Sequence, residues 1–437
     1  MAKIAPFRGV LYNKERIKDY ESVVTPPYDL ITPKEQDRFY KKHENNIIRL
    51  ELGRHLPDDD AANNCYTRAA GLFDEWLKTG ILLKDSDPSI YLYELTYSLN
   101  GETKALSGII CLVSLDEGLM PHESTYSKPK ADRLNLLQGC CASFSQIFGL
   151  YPDTENNVIN KLASSVKGTE PRISFISETG IQNKLLQVKD TDIINQIKKL
   201  MDDKPLFIAD GHHRYETALN YRNKMLTKFK KASGKEAFNY VMVFLANIEN
   251  PGLMILPTHR LIHYRGLIDF SAIEKRFKIE EFRIDNNETA PIKRLLSDMR
   301  RRGVREHVFG MLYPKNRAFY LLALKDERIL NDIIDKDHSP VWRRLEVTIL
   351  HKLIIEDVLK IKNNNKGHIA YEQDDNVAAE KALQGEYEIC LFLNPTKIAE
   401  VVEIAKAKDK MPQKSTYFFP KPLTGLVINK IADEIIE

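Results

Sequence analysis

A short apolar run that stops at a charged, glycine-containing turn carries the clearest chemical signal in the sequence. Phe207-Ile208-Ala209 is followed at once by Asp210-Gly211-His212-His213-Arg214, and apolar residues then recur at helical spacing as far as Phe229. The pattern predicts a buried strand, a tight turn and a helix. Gly211 permits close approach of a ligand to the backbone, and the helix start offers N–H groups that lack an intrahelical partner. With two histidines and an arginine adding donors, the turn is suited to bind phosphate.

The same turn also has a purely structural interpretation. Asp210 could cap the helix while Arg214 pairs with Glu216 or faces solvent. In the functional interpretation, Asp210 and His213 are candidate catalytic residues, and the Asp210 carboxylate can either bind Mg²⁺ or take a proton from a hydroxyl group.

A second group of reactive side chains lies between residues 121 and 137, ahead of a predicted helix. It contains, in order, His122, Glu123, Lys128, Lys130, Asp132 and Arg133. As a catalytic loop it would use Glu123 as general base and Asp132 as a Mg²⁺ ligand or orienting group, while the lysines and Arg133 clamp phosphate. The alternative is a solvated loop at 128–130 and a helix that starts at Asp132. The second histidine of His-Glu-x-x-His is missing, which leaves metalloprotease chemistry without support.

Further polar side chains are candidates for substrate binding. They are Tyr28 and Asp29 after a Pro-Pro turn, Arg49 on a predicted strand from Asn46 to Leu52, His122, and Thr258, His259 and Arg260 at a strand end. Ordinary turn chemistry is the alternative for the first pair. Pairing with a nearby carboxylate is the alternative for Arg260.

The segment from Met411 to Pro422 combines prolines, aromatic residues and hydrogen-bond donors. A surface tail is one interpretation, but the aromatic residues favour burial. If the segment folds back, Lys414, Ser415, Thr416 and Lys421 could donate to a phosphate.

Length and composition bound the function classes. A chain of 437 residues, 43% of them hydrophobic, can bury two cores, and a change of texture near Tyr264 places a soft boundary between domains 1–265 and 266–437. A net charge of +3 argues against a nucleic-acid partner. The five cysteines lack CxxC spacing, and no apolar run is long enough to span a membrane, so we expect a cytoplasmic protein with reduced thiols. The oligomeric state stays open, with a homodimer as one option.

The remaining pattern favours an α/β (α+β) fold. Helices are predicted at Pro33–Lys42 and Ala61–Leu77, and strands at 90–97, 105–113 and 240–246, the first two joined by an Asn100-Gly101 hairpin turn. Neither a P-loop nor the kinase Gly-x-Gly-x-x-Gly pattern occurs, so a nucleotide would have to be held in another way. Pyrophosphate is a small donor that would need only a cluster of hydrogen-bond donors and Mg²⁺.

The loop Asp-Gly-His-His-Arg-Tyr at 210–215 resembles the Gly-x-x-Arg phosphate loop of the ParB/sulfiredoxin-like fold, whose members include free-serine kinases. Together with Pro-Pro-Tyr-Asp at 26–29, His-Glu-x-Thr at 122–125, Pro-Thr-His-Arg at 257–260 and Met-Pro-x-Lys-Ser-Thr at 411–416, it looks like a bacterial and archaeal family of unknown function. The sulfiredoxin cysteine is replaced by His212 and His213, and residues 240–256 read as strands where ParB proteins carry a helix-turn-helix. Sulfinic-acid repair and DNA segregation are therefore disfavoured.

The resemblance implies a ParB/sulfiredoxin-like mixed-sheet catalytic domain at 1–265 and an additional α/β domain at 266–437, whose last segment could return to the active site. It implies phosphorylation of free L-serine to O-phospho-L-serine in serine and cysteine metabolism, with Mg²⁺ and with pyrophosphate, ADP or ATP as donor. The alternative is a non-catalytic nucleotide- or phosphate-binding regulatory protein of the same fold.

Overall fold

The structure, a computed structural model, describes residues 3–99, 101–116, 118–125, 127–229, 233–284, 289–333, 337–361, 367–431 and 435–436. The chain forms two compact units. The first consists of Met1–Pro121, Thr125–Met254 and Pro420–Glu437, and the second consists of His122–Ser124 and Ile255–Phe419. The predicted functional division into residues 1–265 and 266–437 stays a prediction.

The strands of the described residues, in chain order, are β1 (Ile4–Ala5), β2 (Val10–Tyr12), β3 (Leu82–Lys84), β4 (Ile90–Leu99), β5 (Glu102–Ser114), β6 (Leu119–Met120), β7 (Ala142–Ser143), β8 (Ile147–Tyr151), β9 (Ile173–Ile176), β10 (Gln182–Val188), β11 (Leu206–Asp210), β12 (Tyr240–Asn247), β13 (Met254–Leu256), β14 (His259–Ile262), β15 (Phe277–Arg283), β16 (Val308–Tyr313), β17 (Ala318–Leu324), β18 (Ile369–Glu372), β19 (Ile389–Phe392), β20 (Tyr417–Phe419) and β21 (Asn429–Lys430).

The helices of the same residues are α1 (Pro33–Lys42), α2 (Ile48–Glu51), α3 (Cys65–Lys78), α4 (Ser127–Cys140), α5 (Asn157–Ser165), α6 (Thr191–Met201), α7 (His212–Lys228), α8 (Phe270–Glu274), α9 (Thr289–Arg302), α10 (Leu330–Ile333), α11 (Pro340–Arg344), α12 (Glu346–Ile349), α13 (Asp375–Leu383) and α14 (Ile398–Lys406). A π-helical segment, Leu350–Glu356, continues α12. None of these helices combines the length and apolar character needed to cross a membrane.

A nine-stranded mixed sheet forms the centre of the first unit. Its order is β6-β11-β8-β12-β5-β4-β10-β9, with β1 added beside β5. The β6–β11 and β8–β12 pairs are parallel and the other pairs are antiparallel. Apolar side chains of α5, α6 and α7 pack with this sheet in one buried core. The sequence prediction of an α/β fold with a mixed sheet is confirmed.

The second unit is built on a six-stranded antiparallel sheet in the order β15-β17-β16-β19-β14-β18. The apolar faces of α9 and α13 pack on it, through residues that include Leu295, Met299, Ala378 and Ala382. Consecutive side chains of β16 and of most of β17 are all buried. Both faces of these central strands are covered, so neither face contacts water.

Local capping explains several helix starts that the sequence predicted. Thr32 and Glu35 form a reciprocal capping box at α1, with Pro33 in the first turn. Asn64 accepts hydrogen bonds from the first N–H groups of α3. The predicted hairpin turn at Asn100-Gly101 includes Asn100, which lies outside the described residues, but β4 and β5 pair antiparallel up to Leu99 and Glu102.

Two sequence predictions of secondary structure are wrong. Asn46 to Leu52 forms the helical turn α2, because the Asn46 side chain accepts the Ile48 N–H at 2.9 Å and the consecutive residues Ile47 and Ile48 are both buried. The predicted loop at 128–130 lies inside α4, which starts at Ser127. Pro129 does not prevent this, because a first-turn residue needs no N–H for the helix ladder.

Candidate active site

The predicted phosphate turn lies in the first unit and has the predicted strand, turn and helix geometry. Strand β11 ends at Asp210, Gly211 adopts a left-handed conformation with φ of +95°, and α7 starts at His212. An L-residue at Gly211 would be strained by this φ, and its Cβ would lie 2.9 Å from Arg214 Nη2. The glycine therefore allows the turn and also leaves room for the guanidinium group.

Two cationic side chains converge on the Asp210 carboxylate. Arg214 Nη2 lies 3.0 Å from Oδ2, and Lys421 Nζ donates to Oδ1. Both are well buried, with 11% of the Arg214 side chain and 9% of the Lys421 side chain exposed. Arg214 Nη1 also donates to the carbonyl oxygen of Gln146. Because two cations share one carboxylate, the cluster keeps a net positive charge at the start of a helix.

The same cluster fixes the protonation state of Asp210. Burial alone would raise the pKa of Asp210, but the charges of Lys421 and Arg214 outweigh burial and hold that pKa well below its usual range. The carboxylate is therefore ionised and only weakly basic. The alternative interpretation of the turn, in which Asp210 caps the helix and Arg214 pairs with Glu216, does not describe the observed contacts.

His212 and His213 occupy the first turn of α7, where His212 is buried and His213 is partly buried. The charge of His212 contributes to the lowered pKa of Asp210. Residues 210–214 thus form the strand end, turn and helix start that the pattern predicts, and their role in phosphate binding stays a prediction. The structure also supplies Lys421 from the Pro-rich segment, 211 residues away in the sequence.

A second polar cluster in the first unit surrounds Arg133 at the inner face of α4. Its Nε and Nη2 donate to Asp132 Oδ2 at 2.8 and 2.6 Å, and its Nη1 donates to the Glu51 carbonyl oxygen at 2.7 Å. The guanidinium carbon lies 4.3 Å from the centre of the Tyr28 ring, a cation–π contact. Asp132 also accepts the Tyr66 hydroxyl at 2.8 Å.

Glu51 is a buried carboxylate in this cluster that the sequence interpretation missed as a site residue. Its Oε1 lies 3.3 Å from Arg133 Nη1 and accepts the Ser145 hydroxyl at 2.9 Å. Burial raises the pKa of Glu51, although the charges of Arg133 and Arg214 act against this. A usable signal existed, because a glutamate among Ile47, Ile48 and Leu50 is a charge inside an apolar run and needs a partner.

Glu51, Arg133 and Arg214 line one small cavity of about 40 Å³, together with Ser145 and Thr217. This volume suits one or two water molecules. The phosphate turn and the Arg133 cluster thus meet, within the first unit, at a shared cavity whose mostly apolar lining carries a few polar side chains.

The remaining predicted site residues of the first unit have hydrogen-bond and ring partners of their own. Lys130 Nζ lies 2.8 Å from Glu216 Oε2, which also accepts the Thr125 hydroxyl. Arg49 donates to the Tyr40 carbonyl oxygen and lies over the Tyr40 ring. Asp29 is exposed in the turn that follows Pro27. For Lys128 the backbone is helical, and its side chain lies outside the described residues.

In the second unit, His122 and Glu123 of the His-Glu-x-Thr motif contact the Met-Pro-x-Lys-Ser-Thr motif. Glu123 Oε1 accepts the Lys414 N–H at 2.9 Å, and His122 Nε2 lies 3.4 Å from the Thr416 hydroxyl. The Ser415 hydroxyl donates to the Pro412 carbonyl oxygen. These contacts give the Glu123 carboxylate a structural task, which is to hold the backbone at Lys414.

Arg260 holds the other side of the same backbone. Its Nη2 donates to the Lys414 carbonyl oxygen at 3.1 Å, its Nη1 donates to the Thr258 carbonyl oxygen, and its Nε donates to His351 Nε2 at 3.3 Å. Burial lowers the pKa of Arg260 to about 10. The partners of Arg260 are therefore carbonyl oxygens and an imidazole, and they do not match the alternative in which Arg260 pairs with a carboxylate. The neighbouring His259 is buried and bonds to Asp375 at 2.8 Å.

The two carboxylates predicted as Mg²⁺ ligands are a poor fit for that ion. Each oxygen of Asp210 is already bound to a cation, and Asp132 is bound by Arg133 and Tyr66. A divalent cation at either position would be repelled by the adjacent arginine. Within the described ranges, His55, Asp59 and Cys65 place their ligand atoms within 4.8 Å of one another, close enough to hold a metal ion. Their nitrogen and sulfur donors do not suit Mg²⁺.

Several solved structures are similar to this chain. A variant free serine kinase in complex with ADP matches with a TM-score of 0.35 and 12% identity, over 71% of this chain and 87% of that one. A conserved hypothetical protein from Pyrococcus furiosus matches with a TM-score of 0.32 and 13% identity, over 73% and 94%. SbnI with a C-terminal truncation, from Staphylococcus aureus, matches with a TM-score of 0.30 and 11% identity, over 75% and 85%. No curated protein matches the chain.

The family comparison covers most of the sequence. Residues 4–348 match the family described as "Protein of unknown function (DUF1015)", and this stretch includes four of the motifs on which the predicted resemblance was based. The sequence prediction of membership in a family of unknown function is confirmed, and the chain belongs to the DUF1015 family.

Proposed function

We propose that this protein is a phosphotransferase that phosphorylates the hydroxyl group of free L-serine to give O-phospho-L-serine. Pyrophosphate is the proposed donor, with ADP or ATP as alternatives. The observation that carries the proposal is the pair of buried cations, Arg214 and Lys421, held by Asp210 at the start of α7. The choice of serine comes from the motif resemblance.

The charge of the cluster supports phosphate binding. A terminal phosphoryl group carries more negative charge than the Asp210 carboxylate, and it can accept hydrogen bonds from Arg214, Lys421 and the first-turn amides of α7. Asp210 would hold the two cations in position before the donor arrives, so that little reorganisation is needed on binding. Such fixed positive charge stabilises the phosphoryl group during transfer, where catalysis depends mainly on positioning and electrostatics.

Three carboxylates compete for the task of taking the proton from the acceptor hydroxyl. Asp210 is a weak base because two cations depress its pKa. Glu123 has one oxygen engaged by the Lys414 backbone. Glu51 has a raised pKa and lines the same small cavity as Arg214, and through a water molecule it could accept a proton. We therefore rank Glu51 first and keep Glu123, the residue favoured by the sequence, as the competing proposal.

The other candidates keep more limited roles in the proposal. Lys130 and Arg133 position neighbouring carboxylates, and His213 is a further donor in the first turn of α7. Because the carboxylates of Asp210 and Asp132 do not suit Mg²⁺, no step is assigned to a metal held by the protein.

A non-catalytic phosphate- or nucleotide-binding protein is the second candidate function. The observation that favours it is the engagement of both Asp210 oxygens, which leaves the phosphate turn without a basic carboxylate of its own. Such a protein would bind the donor and leave serine unchanged.

The test is a product assay. Purified protein is incubated with L-serine, Mg²⁺ and, in separate reactions, pyrophosphate, ADP or ATP, and O-phospho-L-serine is measured by mass spectrometry. The kinase proposal expects phosphoserine with at least one donor. Donor binding without phosphoserine in all three reactions would support the non-catalytic candidate instead.

A further inference from the structure

The second unit contains a cavity of about 490 Å³ that the phosphotransfer proposal does not use. It is formed by three chain segments: residues 264–266, residues 313–315 and residues 382–388. Its volume lies within the range of about 300–1,000 Å³ typical of small-molecule sites.

Sheet topology explains why these three segments meet. Strands β14 and β16 both pair antiparallel with β19, which lies between them. Ile262, the end of β14, is opposite Ile389, the start of β19, and Leu312 near the end of β16 is opposite Cys390. The turns after β14 and β16 and the turn before β19 must therefore lie at the same edge of the sheet.

The cavity carries positive charge. Arg265 and Lys315 line it, and in the part of the chain that the structure describes neither side chain forms an ion pair. Glu388 is the carboxylate of the lining, and it accepts the Tyr264 N–H at 2.9 Å and lies 3.5 Å from His263. The two cations are thus available for an anion, and an arginine beside a lysine is a usual phosphate-binding pair.

The cavity also offers flat aromatic surface. Tyr264, Tyr313 and Tyr387 contribute to its lining, and Tyr387 is held by stacking on His263 with ring centres 4.5 Å apart. The Tyr313 side chain is buried, and its hydroxyl, whose oxygen faces the Ile268 N–H, keeps its hydrogen to donate. A ring that stacks on tyrosine and accepts a hydrogen bond would satisfy both features.

We propose that this cavity binds a nucleoside phosphate, with the base against the tyrosine rings and the phosphates on Arg265 and Lys315. The site belongs to the second unit and uses none of the residues of the phosphate turn. Nucleotide binding there would therefore be independent of donor binding at the phosphate turn.

The test uses ADP as probe in isothermal titration calorimetry, in the Arg214→Ala variant, so that binding at the phosphate turn is weakened. The Arg265→Ala/Lys315→Ala double substitution should weaken the remaining ADP binding about tenfold or more. The control is Lys293→Ala/Arg300→Ala, which removes two exposed cations of the same unit outside the cavity and should leave ADP affinity unchanged. Both pairs are exposed, so neither should impair folding.

Pyrophosphate and Tyr264→Leu distinguish a nucleotide site from a simple anion site. Tyr264→Leu should weaken ADP binding and leave pyrophosphate binding unchanged. The proposal is overturned if Arg214→Ala abolishes all ADP binding, if the two double variants bind ADP equally, or if pyrophosphate binds the cavity as tightly as ADP. The result does not depend on serine phosphorylation, because no acceptor is present.

Discussion

At the scale of single residues, Arg214 has the most direct predicted effect on donor binding. Arg214→Ala should weaken donor affinity by about 1.5–3 kcal/mol, because it removes a charge-assisted hydrogen bond from a buried position. Calorimetry with pyrophosphate and ADP measures this. Arg222→Ala is a matched control, because Arg222 lies on the same helix and pairs with Asp116 at 2.7 Å, outside the phosphate turn. Equal affinities for the two variants would contradict the assignment of Arg214.

The two competing base candidates can be separated by matched amide substitutions. Glu51→Gln keeps an oxygen for the Ser145 hydroxyl, and Glu123→Gln keeps one for the Lys414 N–H, so both variants should fold. If Glu51 is the base, its substitution should lower kcat by about 10²–10⁴-fold with little change in donor affinity. Glu123→Gln should then retain most activity. The reverse result would return the base assignment to Glu123.

We expect the stability of the folded protein to depend on pH through His351. Burial, together with the charges of Arg260 and Lys352, lowers the pKa of His351 to about 3. The unfolded chain takes up this proton near pH 6.5, so the stability contributed by the neutral side chain is full above pH 6.5 and is lost as the pH falls towards 3.

The matched variant is His351→Gln, whose amide oxygen can still accept the hydrogen bond from Arg260. Between pH 7 and pH 5, the free energy of unfolding in urea should fall by about 2 kcal/mol more in the wild type than in this variant. Parallel pH profiles for the two proteins would show that His351 is not held neutral by the fold.

Residue types were easier to predict than residue partners. The phosphate turn was predicted because glycine, histidine and arginine follow a strand within five positions. Lys421 was only a general candidate, because its contact with Asp210 spans 211 positions and depends on the folded chain. The type and neighbours of Glu123 predict a catalytic base. Its contact with the Lys414 backbone could not be read from the sequence.

At the scale of elements, the start of α7 depends on Gly211. Gly211→Ala should cost about 1–2 kcal/mol of stability from the left-handed backbone, and the added Cβ should also displace the Arg214 guanidinium. Donor affinity should therefore fall as it does in Arg214→Ala.

The control for this element is Gly180→Ala. Gly180 has a φ of +77° and lies in a turn with nothing within 4 Å of an added Cβ, so its substitution produces the strain without the clash. Chemical denaturation should show destabilisation of both variants, larger for Gly211→Ala because of the displaced guanidinium, and calorimetry should show weakened donor binding for Gly211→Ala alone. Normal donor affinity in Gly211→Ala would separate the glycine from the arginine.

Strong periodicity and caps made most elements predictable, and local competition explains the failures. Thr32 and Pro33 marked α1 correctly because capping acts within one turn. The alternation at Asn46–Leu52 is misleading, because the hydrogen bond from the Ile48 N–H to the Asn46 side chain and the burial of Ile47, Ile48 and Glu51 favour a helical turn. Periodicity predicts structure only where one face remains exposed.

At the scale of the whole molecule, the near balance of 64 basic and 61 acidic residues means that local clusters must supply ligand affinity. The first unit supplies Asp210, Arg214 and Lys421, and the second supplies a separate cavity with Arg265 and Lys315. The α/β class and the family could be predicted because motifs and strand patterns are local. The extent of each unit could not be predicted. Residues 122–124 belong to the second unit and residues 420–437 belong to the first, far in sequence from the rest of each unit.

The most direct test of the central claim is a ³¹P NMR time course that compares wild type, Arg214→Ala and Arg222→Ala, each with L-serine, Mg²⁺ and the donor identified in the product assay. In the wild type and in Arg222→Ala, the O-phospho-L-serine signal should grow as the donor signal declines. In Arg214→Ala it should grow at least about tenfold more slowly at subsaturating donor. Equal rates in all three proteins, or no phosphoserine signal in any of them, would show that Arg214 does not support serine phosphorylation.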